Sequence, residues 1–153
     1  MEYAIRPYIP DDYPHICRID RELFGDYGYS PIFLRQAGEI FSSTFSVAVD
    51  GEERIGYIIG AQEIDSPEDA WILRIGVTGD WQGKGVGASL IEPLLSLFQK
   101  RGVARIRIAV SKRHSPVTDL LISKGFSILS YEKAYYYPDF DRMIMVLYLS
   151  SGL

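Results

Sequence analysis

One stretch constrains this chain more than any other: Val77-Thr78-Gly79-Asp80-Trp81-Gln82-Gly83-Lys84-Gly85-Val86-Gly87. It joins an apolar, β-rich run, Ala70–Val77, to a helical stripe of Leu90, Ile91, Leu94, Leu95 and Phe98. A turn of this composition leaves backbone N–H groups bare, and the helix N-terminus behind it adds positive potential. The pair suits a phosphate or pyrophosphate. Two common phosphate loops are excluded by spacing. A Walker A loop needs Gly-x-x-x-x-Gly-Lys followed by Ser or Thr, but only Asp80, Trp81 and Gln82 separate Gly79 from Gly83-Lys84, and Gly85 follows. The dinucleotide fingerprint needs Gly-x-Gly-x-x-Gly, whereas Gly83, Gly85 and Gly87 are evenly spaced.

The rest of the chain reads as elements around that turn. Tyr3–Tyr8 is a short strand. Asp11 or Asp12 caps a helix to about Phe24 along Ile16, Ile19, Leu23 and Phe24. Ser30-Pro31 opens a second helix, to about Phe41. Thr44–Val49 and Arg54–Glu63 flank Asp50-Gly51, a strong hairpin signal. After the glycine turn the helix stops at Lys100-Arg101-Gly102, with Pro93 expected to kink it. Val103–Val110 is a strand, Ser115-Pro116 caps a helix ending at Lys124-Gly125, and Phe126–Tyr137 and Met143–Leu149 are the last strands. The order β-α-α-β-β-β-α-β-α-β-β predicts an α/β (α+β) fold, a mixed central sheet of about seven strands flanked by about four helices. With 153 residues and no repeat or linker, residues 1–153 are expected to form a single domain.

Composition narrows the function. A net charge of −4 argues against a dedicated nucleic-acid binder. One cysteine, Cys17, excludes an intrachain disulfide or a cysteine zinc cluster, and two separated histidines make a metal site unexpected. No apolar run spans a bilayer and no signal peptide is recognisable, so no membrane partner and a cytoplasmic location are expected.

The pattern Gln-x-x-Gly-x-Gly at Gln82, Gly85 and Gly87, preceded by Ile75-Gly76-Val77, resembles the coenzyme A loop of the GNAT superfamily of N-acetyltransferases. The element order matches that fold over nearly the whole chain, with Lys100-Arg101-Gly102-Val103 and Lys124-Gly125-Phe126 as further typical punctuation. Within the superfamily, Tyr136-Tyr137-Pro138 before Asp141 and Met143-Ile144-Met145 is similar to the tail of the protein N-terminal acetyltransferases, including the ribosomal-protein alanine type. So is Ile55-Gly56-Tyr57-Ile58-Ile59-Gly60 with its acidic loop.

The resemblance implies acetyl-CoA as co-substrate, with no metal. It also implies that backbone groups of Ile75, Gly76 and Val77 pair with the pantetheine arm. Amides across Gln82, Gly83, Lys84, Gly85, Val86, Gly87 and Ala88 would take the pyrophosphate. Of the basic run Lys100, Arg101, Arg105, Arg107, Lys112 and Arg113, the last two are the better partners for the 3′-phosphate; a solvated face explains most of the others. Asp50, Glu52, Glu53, Glu63, Asp65, Glu68 and Asp69 form an acidic block, which is either a field for an ammonium substrate or a hairpin with solvated turns.

Three side chains of the family pattern are missing. The acid that many members carry as Tyr is Leu121, the alanine-type Glu base is Ala109, and the Asn of the pantetheine region is His114; the chain contains no Asn at all. His114 is either a cofactor contact or an ordinary residue before a helix cap. Replacement catalytic candidates are Glu63, acting through a water, Asp26, and Tyr136 as a proton donor. Tyr27, Tyr29, Trp71 and Tyr137 are candidate substrate contacts. Each has a structural alternative: aromatic packing, a turn residue, a solvated strand end.

Thermodynamics favours one acceptor class. An α-amine with pKa near 8 reaches its neutral form at pH 7 for about 1.4 kcal/mol, against about 4.6 kcal/mol for a lysine amine near 10.4. A site without a strong base therefore suits an N-terminal α-amine. The expected function is direct transfer of acetyl from acetyl-CoA to a primary amine, by preference a protein or peptide N-terminus. The alternatives are a small amine (polyamine, amino sugar or drug) and a non-catalytic acyl-CoA-binding regulatory domain. The chain is expected to be a monomer or homodimer.

Overall fold

The apolar periodicities above become eleven elements in the computed structural model, which describes residues 2–113 and 115–150. In chain order they are β1 (Ala4–Pro7), α1 (Tyr13–Phe24), α2 (Pro31–Ile40), β2 (Phe45–Asp50), β3 (Glu53–Gln62), β4 (Asp69–Val77), α3 (Val86–Lys100), β5 (Arg105–Val110), α4 (Pro116–Ser123), β6 (Ser127–Glu132) and β7 (Arg142–Tyr148). The strands make one seven-stranded sheet in the order β1-β2-β3-β4-β5-β7-β6. The β4–β5 pair is parallel, Asp69 to Trp71 lying against Arg105 to Arg107, whereas β1–β2, β2–β3, β5–β7 and β6–β7 are antiparallel. This is the mixed sheet with four α-helices that the sequence predicts. The chain packs as two compact units, one drawing on the chain up to Gly60 and on Arg74–Leu95, the other on Ala61–Leu73 and the chain from Ser96 on.

The first unit buries one face of each helix. Ile16 and Ile19 of α1, Leu34 and Ala37 of α2, Val47 and Ala48 of β2, and Ile55, Ile58 and Ile59 of β3 are all at most 1% exposed. Each large side chain buried this way contributes about 1.5–3 kcal/mol. Helix α2 starts as its sequence dictates: the Ser30 hydroxyl accepts from the Phe33 N–H at 3.0 Å, with Pro31 in the first turn. Helix α1 does not. Asp12 makes no cap bond to it. Its fully buried carboxylate instead accepts from Arg6 at 2.7 Å on each oxygen, from the Ile9 N–H and from Arg54, both at 2.9 Å. Burial alone raises the Asp12 carboxyl, but these donors outweigh it and hold it below the ordinary carboxylate range.

In the second unit, β5 alternates Arg105 and Arg107 with buried Ile106 and Ile108, and the core continues through Phe98, Leu121, Phe126, Met145 and Val146. Both helix stops are glycines at positive φ. Gly102 (φ +79) precedes a Val103 N–H to Phe98 O bond of 3.0 Å; Gly125 (φ +97) precedes a Phe126 N–H to Leu121 O bond of 3.0 Å. Pro93 lies within α3, which runs unbroken from Val86 to Lys100.

Two expectations are corrected. Val103 belongs to the helix stop, so the strand starts at Arg105. The strand expected to reach Tyr137 ends at Glu132. Beyond it the chain turns back on itself: Ala134 (φ +51) and Asp139 (φ +69) bend it, Asp141 accepts from the Ala134 N–H at 2.7 Å, and the Tyr135 N–H bonds Phe140 O. Pro138 has no N–H to give a ladder, and the three adjacent tyrosines sit on this loop.

Candidate active site

The glycine turn lies in the first unit and is braced at both ends. Thr78 N–H donates to Ile55 O at 2.9 Å, which fixes the end of β4 on β3. Trp81 N–H then closes on Thr78 O at 2.9 Å and Gln82 N–H on Gly79 O at 3.3 Å, while the Gln82 side-chain amide reaches back to Val77 O at 2.9 Å. Gln82 thus holds the turn with both its backbone and its side chain. Gly83 and Gly85 follow at φ +76 and +85; a Cβ on Gly83 would meet nothing within 4 Å, and one on Gly85 only the Tyr3 hydroxyl at 3.8 Å. The first bond of α3 is Ser89 N–H to Gly85 O. The leading amides at Val86, Gly87 and Ala88 therefore have no partner within the helix. Tyr3 covers the flank: its hydroxyl bonds Ser89 at 2.8 Å and its ring meets Trp81 edge-on at 5.8 Å, with the Lys84 ammonium 5.4 Å from that indole. The result is an open loop, free of side chains at two consecutive bends, leading into a helix N-terminus. It can wrap a diphosphate.

Beneath the strand that enters this turn lies a polar cluster that the sequence reading missed. Asp20 of α1 is 1% exposed. Its carboxylate accepts from the Tyr57 hydroxyl, from the Arg74 guanidinium at 2.9 Å and from the Tyr29 N–H at 2.7 Å. Arg74, one residue before Ile75, lies between two rings, its guanidinium carbon 3.8 Å from the Phe24 centroid and 4.1 Å from that of Tyr29. Burial drives the Tyr57 phenol far above its ordinary value, with the Asp20 charge adding to it. The signal was present in the pattern: Asp20 occupies the apolar stripe of α1 between Ile19 and Leu23, and Arg74 interrupts the apolar run Ala-Trp-Ile-Leu-Arg-Ile-Gly-Val. Gly76 is a glycine for a packing reason, since a Cβ there would come within 2.9 Å of Leu23 and 3.0 Å of the Tyr57 ring.

The other candidates fall in separate places. Glu63 and Trp71 meet in the second unit: the indole N–H donates to Glu63 Oε2 at 2.9 Å, and Arg107 lies 3.9 Å from the same oxygen and 5.8 Å from the indole ring. Nearby, Arg105 holds Asp69 with bonds of 2.6 and 3.0 Å and keeps its carboxyl below the ordinary value. The acidic and basic blocks thus interleave here as ion pairs, and Glu63, Glu68 and Asp69 do not present a bare negative field. Lys112, expected near a phosphate, is 3.5 Å from Asp141. Asp26 and Tyr27 sit exposed on a short turn, Gly25–Tyr27, and Tyr29, half-buried on Arg74 and Phe33, brings that segment to β4. Tyr136 and Tyr137 are 54% and 67% exposed on the loop between β6 and β7, Tyr136 against Tyr135 and Arg142, Tyr137 against Phe140. Leu121, at the position of the family's acid, is fully buried in α4. His114 lies outside the described residues. Among the described residues no group of His, Cys, Asp and Glu is placed to hold a metal ion, and no helix is long and apolar enough to cross a membrane.

Comparison with known proteins matches the chain to one family. Residues 5–126 match the family described as "Acetyltransferase (GNAT) family". The [Ribosomal protein bS18]-alanine N-acetyltransferase of Escherichia coli (strain K12) is 32% identical over 69 residues, 45% of this chain and 47% of that protein. The L-2,4-diaminobutyric acid acetyltransferase of Nocardia farcinica is 27% identical over 86 residues, 56% of this chain and 44% of that protein. The chain therefore spans about half the length of the curated relatives it matches. Among solved structures, Ard1 from Thermoplasma volcanium superposes with a TM-score of 0.88 at 21% identity, covering 98% of this chain and 99% of that one. A family match over most of the chain, on a fold and a turn of this kind, makes the chain a member of the GNAT acetyltransferase family.

Proposed function

We propose that the chain transfers acetyl from acetyl-CoA directly to a primary amine, and that its preferred acceptor is the α-amine of a protein or peptide N-terminus. The observation that carries the reading is the braced turn: Gln82 tied to Val77, two open bends at Gly83 and Gly85, and the leading amides of α3 behind them. These residues fit a diphosphate, because the bends at Gly83 and Gly85 carry no side chain and lead into the unpaired amides that open α3. When bound, acetyl-CoA supplies a thioester whose carbonyl carbon gains the amine nitrogen and whose carbon–sulfur bond breaks, the amine losing one proton and the thiolate taking one. Ile75, Gly76 and Val77 offer backbone groups along β4 to the pantetheine arm, and strand-end amides near Val77 would hold the developing oxyanion. Lys84, in the same turn, would stand by the pyrophosphate.

The proton balance fits a weak-base site. Leu121 and Ala109 carry no ionisable group, so Glu63, held in place by Trp71, takes the amine proton through a water. Asp26 is the second carboxylate to consider, and Tyr136 the donor for the thiolate. An α-amine makes this sufficient, since its neutral form at pH 7 costs only about 1.4 kcal/mol. Tyr27, Tyr29, Trp71 and Tyr137 offer ring surface to a peptide. The likeness to the ribosomal-protein alanine enzyme supports the N-terminal acceptor, and the likeness to the diaminobutyric acid enzyme supports a small amine as the second reading. Thiol release from acetyl-CoA, measured over a panel of N-terminal peptides and small amines, tests both. Release stimulated most by peptides supports the first reading. Tight cofactor binding without acceptor-dependent release would leave only a regulatory acyl-CoA-binding domain.

A further inference from the structure

Arg74 stands out among the polar groups near the proposed cofactor strand. A cation in the middle of an apolar strand is expensive unless its partners match it. Here Asp20 answers it, but Asp20 is shared: the Tyr57 hydroxyl and the Tyr29 N–H bond the same carboxylate. Arg74 itself gives Asp20 one bond, from one terminal nitrogen. A guanidinium has five N–H donors in a fixed planar fork. The rings of Phe24 and Tyr29 cover its faces at 3.8 and 4.1 Å, so only the edge is open. That edge is not sealed: the side chain is 17% exposed, and none of its nitrogens is among the buried polar atoms left without a partner. The cation is therefore stacked against two rings, tied to Asp20 by one bond, and not wholly enclosed.

Its place along the chain gives those donors a use. Arg74 directly precedes Ile75, and a strand rises about 3.3 Å per residue, which puts its Cα within about 10 Å of Val77. We infer that Arg74 is a specificity-determining residue that binds a carboxylate carried by the acceptor within a few bonds of its amine. This deepens the acetyltransferase reading and rests on it. A planar guanidinium edge matches a carboxylate in two-point geometry, whereas it repels a second ammonium. The acceptor class is thus an amine bearing an acid: an N-terminal Asp or Glu of a peptide, or a free amino acid through its own carboxylate. A polyamine is the class it disfavours.

The test compares ligands that differ only in that group. Calorimetry on the full chain saturated with coenzyme A is run with Asp-Ala-Ala-Ala amide against Asn-Ala-Ala-Ala amide, and with alanine against alaninamide. The first pair reads a peptide side chain and the second a free amino acid. In at least one pair the acid is expected to bind about tenfold more tightly, and Arg74→Gln to bring that pair to parity. Because Arg74→Gln removes a partner from buried Asp20, the double variant Asp20→Asn, Arg74→Gln is measured beside it, and circular dichroism checks that each is folded. The wild-type pairs need no variant. Equal affinity of acid and amide in both pairs, no binding in either, or a preference that persists without Arg74 overturns the inference. Thiol release measured in parallel separates the two readings. Turnover with the amides alone retains the acetyltransferase and removes the role of Arg74; acid-selective binding without turnover does the reverse.

Discussion

The side-chain amide of Gln82 donates to the backbone carbonyl of Val77 at 2.9 Å, so the glycine turn is tied back to the strand it leaves. The bond closes the turn just ahead of the amides, Gln82 to Ala88, that the resemblance assigns to the pyrophosphate. It orders that loop in advance of any ligand, which lowers the entropy lost on binding. Gln82→Ala removes one neutral hydrogen bond, worth about 0.5–1.5 kcal/mol. Acetyl-CoA affinity by calorimetry should fall about two- to tenfold with little change in Tm. Unchanged affinity would mean the turn needs no brace.

Gly85 sits at φ +85, where a Cβ would meet only the Tyr3 hydroxyl, at 3.8 Å. A β-branched side chain strains that backbone and projects into the path of the phosphates. Gly85→Val is expected to remove detectable acetyl-CoA binding while the circular dichroism spectrum stays folded. Gly51→Ala supplies the control: at φ +63 in the hairpin turn, with nothing within 4 Å of a Cβ, it should lower stability and leave cofactor affinity alone.

Glu63 is the carboxylate in contact with Trp71. Glu63→Gln keeps an oxygen for the indole and removes the base. A general base contributes about 10²–10⁴-fold, so kcat should drop by at least about 100-fold with KM for acetyl-CoA unchanged. A loss of less than about threefold, well under that range, would assign the proton to Asp26 or to solvent.

The Asp12 carboxyl is depressed below 3.8 in the folded protein. The unfolded chain therefore takes up the proton first as pH falls. The contribution of Asp12 to stability is fully present above its unfolded value and is lost as pH drops through the folded one. The urea midpoint of the wild type should decline from about pH 5 to about pH 3. Asp12→Asn should start lower at neutral pH and change less across that window. Parallel curves would mean the ion pair with Arg6 and Arg54 carries no net stability.

What was legible in the sequence is what depends on neighbours along the chain. Ser30-Pro31, Gly102 and Gly125 act within a few residues of themselves, and each does what its chemistry dictates. The glycine turn was legible for the same reason, as four glycines closely spaced between a strand and a helix. Asp12 misled because a capping residue and a buried ion-pair acid look alike until Arg54, far along the chain, is placed beside it. Tyr135–Tyr137 misled because aromatic residues favour strands, while Pro138 and the Asp141 carboxylate favour a turn. The candidate site divides the same way. Its loop was readable, but Asp20 with Arg74, and Glu63 with Arg107, are partnerships between distant segments, visible beforehand only as a charge out of place in an apolar stripe.

The Asp20 cluster also bears on how the chain reaches its native state. Its bonds join residues 37 and 54 positions apart, so each closes a long loop whose entropic cost precedes its reward. Until Tyr57 and Arg74 arrive, Asp20 keeps its hydration and α1 cannot seat its inner face. Helix α1 is therefore expected to dock late, held back by a charge that only the assembled strands can accept. Asp20→Asn, which needs less desolvation, should change the unfolding rate far more than the folding rate. A stopped-flow chevron in which the folding limb moves instead would place α1 in the nucleus.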